Sequence, residues 1–84
     1  LSLQDITAFV INYMQVHYPV QLEDRYEIDR NMNDMLEIFN AIGKQRGALL
    51  SGGDINFDKV AEIVLRDLRT GRLGNITLEA PQEA

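Results

Sequence analysis

The stretch Phe57-Asp-Lys-Val-Ala-Glu-Ile-Val-Leu-Arg-Asp-Leu68 decides the fold. Phe57, Val60, Ala61, Val64, Leu65 and Leu68 recur at offsets 0, 3, 4, 7, 8 and 11, which trace one face of a helix. Asn56 stands where an N-cap belongs, Asp58 puts a carboxylate in the positive first turn, and Gly71 follows as a stop. A helix with one apolar face needs other elements to cover it.

Those elements lie upstream. Met32, Met35, Leu36, Phe39 and Ile42 repeat the helical period, with Asp29 or Asn31 as cap and Gly43 as the residue that ends the helix. Ser2 and Asp5 have the spacing of a capping box, so a first helix starts near Leu3. Its core face reads as Ile6, Phe9, Val10, Tyr13, Met14 and His17, and Pro19 stops it. Ala8, Ile11 and Tyr18 form a second apolar stripe on this helix, which a small bundle has difficulty burying, and the expectation is that it docks on a neighbouring domain.

Between the helices, Val20 to Ile28 reads as a polar connection with one helical turn over Leu22 to Tyr26, anchored by Tyr26 and Ile28. Lys44 to Gly53, with three glycines, reads as a loop or short turn pinned by Leu49 and Leu50. Leu73 to Leu78 alternates enough to be extended. The fold expected is all-α: a small helical bundle of three main helices plus short helical turns, with an extended C-terminal segment. Residues 1–79 form the domain and 80–84 a disordered tail.

Composition agrees with a single globular unit: 84 residues, 45% hydrophobic and 25% charged. The absence of Cys excludes a disulfide framework, thiolate metal sites and cysteine hydrolases. Apolar runs reach only Ala8 to Ile11, far below the ~20 residues that span a bilayer. The chain starts at Leu1 without a basic-then-apolar leader, which reads as a piece of a longer protein.

The net charge is −5, but the charges are segregated. Residues 1–43 hold two bases against seven acids, whereas residues 44–72 hold six bases against four acids. Arg66 and Arg69 lie one turn apart on the polar face of the last helix, Arg72 follows Gly71, and Lys44 and Arg46 flank the other glycine-rich loop. A fold that brings residues 44–46 near residue 72 would gather five cations able to engage phosphates. The bland alternative pairs Arg66 with Glu62 and leaves the others as solvated surface.

Other motifs fail on single residues. Asp54, Asn56 and Asp58 open like a calcium loop, but Lys59 replaces the glycine and Leu65 the final glutamate. An acyl-carrier reading needs a serine after Asp54 and finds Ile55. His17, the sole histidine, lies on an apolar face with no triad spacing around it. Ser51 to Gly53 lacks a G-x-x-x-x-G-K-[ST] pattern, and Asp54 would repel a phosphate.

The segment Ala41-Ile-Gly-Lys-Gln-Arg-Gly-Ala-Leu-Leu-Ser-Gly-Gly-Asp, then Phe57-Asp-Lys-Val-Ala-Glu and Leu65-Arg-Asp-Leu-Arg-Thr-Gly-Arg-Leu-Gly-Asn-Ile-Thr-Leu-Glu79, resembles the C-terminal domain of the ribosome biogenesis GTPase A (YlqF-type) family. The His17-Tyr18-Pro19 turn is also similar. The resemblance implies a helical, ANTAR-like domain of a bacterial, cytoplasmic, circularly permuted GTPase that assists late assembly of the large ribosomal subunit. It implies that GTP and Mg2+ belong to an upstream GTPase domain, and that this fragment holds no cofactor, no metal and no catalytic residue. Lys44, Arg46, Arg66, Arg69 and Arg72 are then the residues expected on ribosomal RNA, with Ala8, Ile11 and Tyr18 docked on the GTPase domain. No membrane and no DNA partner is expected. The competing expectation is an acidic interaction module that binds a protein through its first helix without touching RNA.

Overall fold

The computed structural model describes residues 1–78, so the expected tail at 80–84 lies outside the described residues. Four helices follow in order: α1 (Leu3–His17), α2 (Pro19–Tyr26), α3 (Met35–Arg46) and α4 (Phe57–Arg69). The all-α expectation holds. Among the described residues the only β feature is an isolated bridge between Leu49 and Ile55. Helix α1 packs on α4 and α2, and α3 packs on α4 and α2.

Local sequence sets the helix ends as expected at three places. The Ser2 hydroxyl accepts from the Asp5 N–H at 3.1 Å while the Asp5 carboxylate accepts from the Ser2 N–H at 3.3 Å, a closed capping box. Asn56 caps α4 by accepting from the Lys59 N–H at 3.0 Å. At its far end α4 closes in a Schellman motif: Gly71, with φ +80°, donates to the Leu68 carbonyl at 3.4 Å, and the Arg72 N–H donates to the Asp67 carbonyl at 2.9 Å.

Two expectations about the middle of the chain are corrected. Pro19 does end α1, but it also starts α2 at the first helical position, where a missing N–H costs nothing. The expected single turn over Leu22 to Tyr26 is thus an eight-residue helix, Pro19–Tyr26, and Tyr26 and Ile28 are both buried. Helix α3 is capped by Asp34, not by Asp29 or Asn31, and Gly43 does not end it. The helix runs on through Lys44 to Arg46 and ends at Gly47, φ +67°. Gly43 is instead the point where α3 meets the 48–56 loop: a Cβ there would lie 2.6 Å from the Ile55 Cγ2. That loop is pinned by buried Ala48, while Leu49 and Leu50 are exposed.

The core comprises Val10, Ile11 and Met14 of α1, Leu22 and Tyr26 of α2, Ile38, Phe39 and Ile42 of α3, and Val60 and Val64 of α4, closed by Ile28, Ala48 and Leu73. This corrects the reading of α1. Ile11 is fully buried and offers no docking surface, and Ala8 and Tyr18 are half-buried. The outward side carries Ile6, Phe9, Tyr13 and Val16, with Phe9 61% and Val16 74% exposed. The reason is Thr7: its hydroxyl donates to the Leu3 carbonyl at 2.7 Å, so a polar residue sits satisfied in the interior and centres the buried face on residues 7, 10, 11 and 14.

The Gly43 contact generates a stability prediction. Gly43→Ala gains about 1 kcal/mol of intrinsic helix propensity but overpacks against Ile55 at a cost of about 1–3 kcal/mol, so the net loss expected is up to about 2 kcal/mol. Thermal melts of Gly43→Ala, Ile55→Ala and the double variant check this. The two losses should be less than additive, because Ile55→Ala removes the methyl that the new Cβ meets.

Candidate nucleic-acid interface

The polar centre of the molecule is a carboxylate on the buried side of α4. Asp67 is 4% exposed and accepts from the Tyr26 hydroxyl at 2.7 Å and from the Arg25 Nε and Nη2 at 3.0 and 3.2 Å. Arg46, from the end of α3, lays its guanidinium 5.3 Å from the Tyr26 ring centre and donates to the Arg25 carbonyl at 2.8 Å. Arg72 joins through the backbone, since its N–H bonds the Asp67 carbonyl. Three helix ends therefore meet at Asp67. Of this network the sequence singled out Arg46 and Arg72 as cations and Tyr26 only as a core anchor, and it missed Arg25 and Asp67. Its signal was nonetheless present, because Asp67 lies three and seven residues beyond Val64 and Val60, on their face.

The five expected cations do not form one patch. Arg46 and Arg72 flank the Asp67 network on the α2 side. Arg66 and Arg69 lie about 60° apart around α4, and Arg66 is turned about 100° away from Asp67 by the helical rotation. With Glu62, Leu65 and Leu3 these two arginines line an open groove of about 260 Å³ on the α1 side. Lys44 is exposed and, two residues from Arg46 on α3, is rotated about 200° from it. Among the described residues the ion pairs are Arg25 with Asp67 and Arg30 with Glu23. The Arg66 to Glu62 pair of the bland reading is absent from that set.

The glycine turn at Ser51–Gly53 does not fit a phosphate. Gly53 gives its N–H to the Leu50 carbonyl at 3.0 Å and the Leu50 N–H goes to the Asp54 carbonyl at 2.7 Å, so the turn is closed on itself with Asp54 beside it. Among the described residues no three His, Cys, Asp or Glu side chains gather as metal ligands, and no helix is long and apolar enough to cross a membrane.

No protein-family model matches the chain. It is 47% identical over 83 residues to ribosome biogenesis GTPase A of Bacillus cereus, 42% identical over 84 residues to that of Priestia megaterium, and 42% identical over 82 residues to that of Bacillus pumilus. These matches cover 98–100% of the chain, which spans only 28–29% of the length of these relatives. The resemblance read from Ala41 to Glu79 is therefore shown: the chain is homologous, over its whole length, to a little more than a quarter of ribosome biogenesis GTPase A.

The Asp67 network sets a pH window. Burial pushes the Asp67 carboxyl up, but hydrogen bonds from Arg25 and Tyr26 and the charge of Arg25 outweigh it and hold the carboxyl below its usual range. Burial, then the bond to Asp67, pushes the Tyr26 hydroxyl far above its ordinary value. A depressed acid stabilises the fold above its unfolded pKa, about 4, and loses that contribution as pH falls; a raised phenol stabilises below about 10 and loses it as pH rises. Stability should form a plateau between these limits. Asp67→Asn should cost about 2–3 kcal/mol at neutral pH by leaving Arg25 uncompensated, and should flatten the acid limb of a denaturation series. Tyr26→Phe should flatten the alkaline limb instead. An acid limb unchanged in Asp67→Asn would sink the assignment.

Proposed function

We propose that this chain is the non-catalytic, C-terminal helical domain of a ribosome biogenesis GTPase A, and that it positions the protein on the RNA of the large ribosomal subunit. The observation that carries the reading is the set of arginines at one end of an acidic molecule: Arg66 and Arg69 share the α1-side groove, and Arg46 and Arg72 flank the Asp67 network. The relatives, ribosome biogenesis GTPases A, supply the ribosome-related role. Phosphate contacts need local, oriented cations and not a positive total, so the net charge of −5 does not oppose this. Lys44 stands apart and contributes long-range attraction only. GTP and Mg2+ belong to the remaining three quarters of the polypeptide, and no step of hydrolysis is assigned to these residues.

A second reading is favoured by a specific observation, the stripe of exposed Ile6, Phe9 and Val16 with half-buried Tyr13 between them. This stripe, and not Ala8, Ile11 and Tyr18, would dock the domain on the rest of the polypeptide. An apolar face with Phe9 61% exposed is a surface that another domain stabilises by covering.

Binding to bacterial large-subunit particles separates the two. Three phosphate contacts predict a fall in affinity of roughly 20- to 40-fold between 50 and 200 mM salt, and Arg66→Glu, Arg69→Glu and Arg72→Glu together should abolish it. Binding that is indifferent to salt and to the charge reversal would overturn the RNA reading. In the full-length protein, Phe9→Ser with Val16→Ser should separate the domains, seen as an increased radius of gyration in solution scattering, with little change in the salt-dependent binding of the isolated chain.

A further inference from the structure

One open cleft combines an acid, an amide and two arginines. It lies between α2 and the turn after α4, is about 360 Å³ in volume, and is lined by Gln21, Asp24, Arg25, Arg72, Leu73 and Gly74. Its two walls are fixed. Gln21, Asp24 and Arg25 fall within about 100° of one another around α2, so they present one face. The opposite wall is held by the Arg72 N–H on Asp67 and by the Gly74 N–H donating to the Gly71 carbonyl at 3.0 Å. Gly74 adopts φ +89°, and a Cβ there would lie 3.7 Å from the Gln21 side chain, narrowing the opening. Buried Leu73 forms an apolar floor.

The chemistry of this lining is mixed in an informative way. Arg72 supplies a cation for a phosphate. The Arg25 guanidinium is held flat by its two bonds to Asp67, and a fixed guanidinium plane is a surface on which a base stacks. Asp24, exposed on the rim, would repel a phosphate and is useful to a nucleic acid only if it accepts hydrogen bonds from a base. Its two oxygens match two adjacent N–H donors, and on a Watson–Crick edge only guanine offers that pair, N1–H and the N2 amino group. Gln21 carries an amide able to donate to the neighbouring O6.

We infer that this cleft is a guanine-reading subsite for an unpaired nucleotide of RNA, with Asp24 on the N1–H and N2 edge, Arg25 as stacking surface and Arg72 on the adjacent phosphate. The inference rests on the RNA reading above and deepens it from phosphate attraction to base selection. Recognition of single-stranded or looped nucleotides through their Watson–Crick edge is the usual route to sequence preference in RNA.

The test uses this 84-residue chain and three labelled pentanucleotides, UUGUU, UUAUU and UUIUU, where inosine lacks only the N2 amino group, with affinities from fluorescence anisotropy and amide shifts from NMR. A bidentate edge contact predicts a preference for guanine over adenine of roughly tenfold, with inosine between them and shifts at Gln21, Asp24 and Gly74. Asp24→Asn separates charge from reading. Removing an acid should raise the affinity of every RNA if Asp24 acts only through its charge, whereas the subsite requires affinity for UUGUU to fall while that for UUAUU does not. A thermal melt of Asp24→Asn equal to that of the parent chain excludes unfolding as the cause. Equal, salt-sensitive binding of all three RNAs overturns the subsite and leaves the RNA reading standing. Absence of binding by any of them overturns both.

Discussion

The structure depends on the burial of one carboxylate. Asp67 sits on the inner side of α4 with a tyrosine and an arginine from α2 as its partners. A carboxylate there is tolerable only because its charge is matched and both oxygens are hydrogen-bonded. The consequence is directional: α2 packs on α1 and α3, and the fork of Arg25 and the hydroxyl of Tyr26 are what tie it to α4. The same residue carries the arginines outward, since Arg46 rests on the Tyr26 ring and Arg72 is tied to the Asp67 carbonyl. Core specificity and the placement of surface cations thus share one anchor.

Much of this was legible from local rules and little of it from charge counting. Ser2, Asn56 and Gly71 act as their residue types dictate, because capping is settled by the few atoms around a helix end. Periodicity found α1, α3 and α4 but could not choose the buried side of α1, where two apolar stripes compete. Val10 and Met14 belong to the buried face on either choice, and the deciding residue is Thr7, which polarity alone excludes from a core. Gly43 misled for a related reason. Its type suggests a stop, yet its function is the close approach of Ile55, a contact between residues twelve apart that no local pattern encodes. The gathering of cations was legible only as a possibility, because helical rotation separates Arg66 from Asp67 and Lys44 from Arg46 in ways that depend on where α3 and α4 cross.

The uneven charge of the sequence has a spatial counterpart. One acid of each half is paired within the domain, Glu23 with Arg30 and Asp67 with Arg25. Among the described residues, what remains unconsumed at the end of α4 is cationic. An acidic body with a cationic end is repelled from most of a polyanion's surface and attracted in one orientation, so on the proposed RNA reading the negative net charge would orient the domain and not oppose its binding.

The exposed apolar side of α1 bears on the same geometry. A domain of this size buries only about 60% of its unfolded surface, so it has little core to spare, and yet Phe9 and Val16 are left outside. Sequestering them against the rest of the polypeptide would fix α1, and through the α1 to α4 packing would fix the direction of the Arg66 and Arg69 groove. The two readings of the molecule then cease to compete. Docking through one side of α1 and contacting RNA through the far end of α4 are separable in their salt dependence but linked in space, because a cationic groove positions a larger protein only if the groove is itself held rigidly to it.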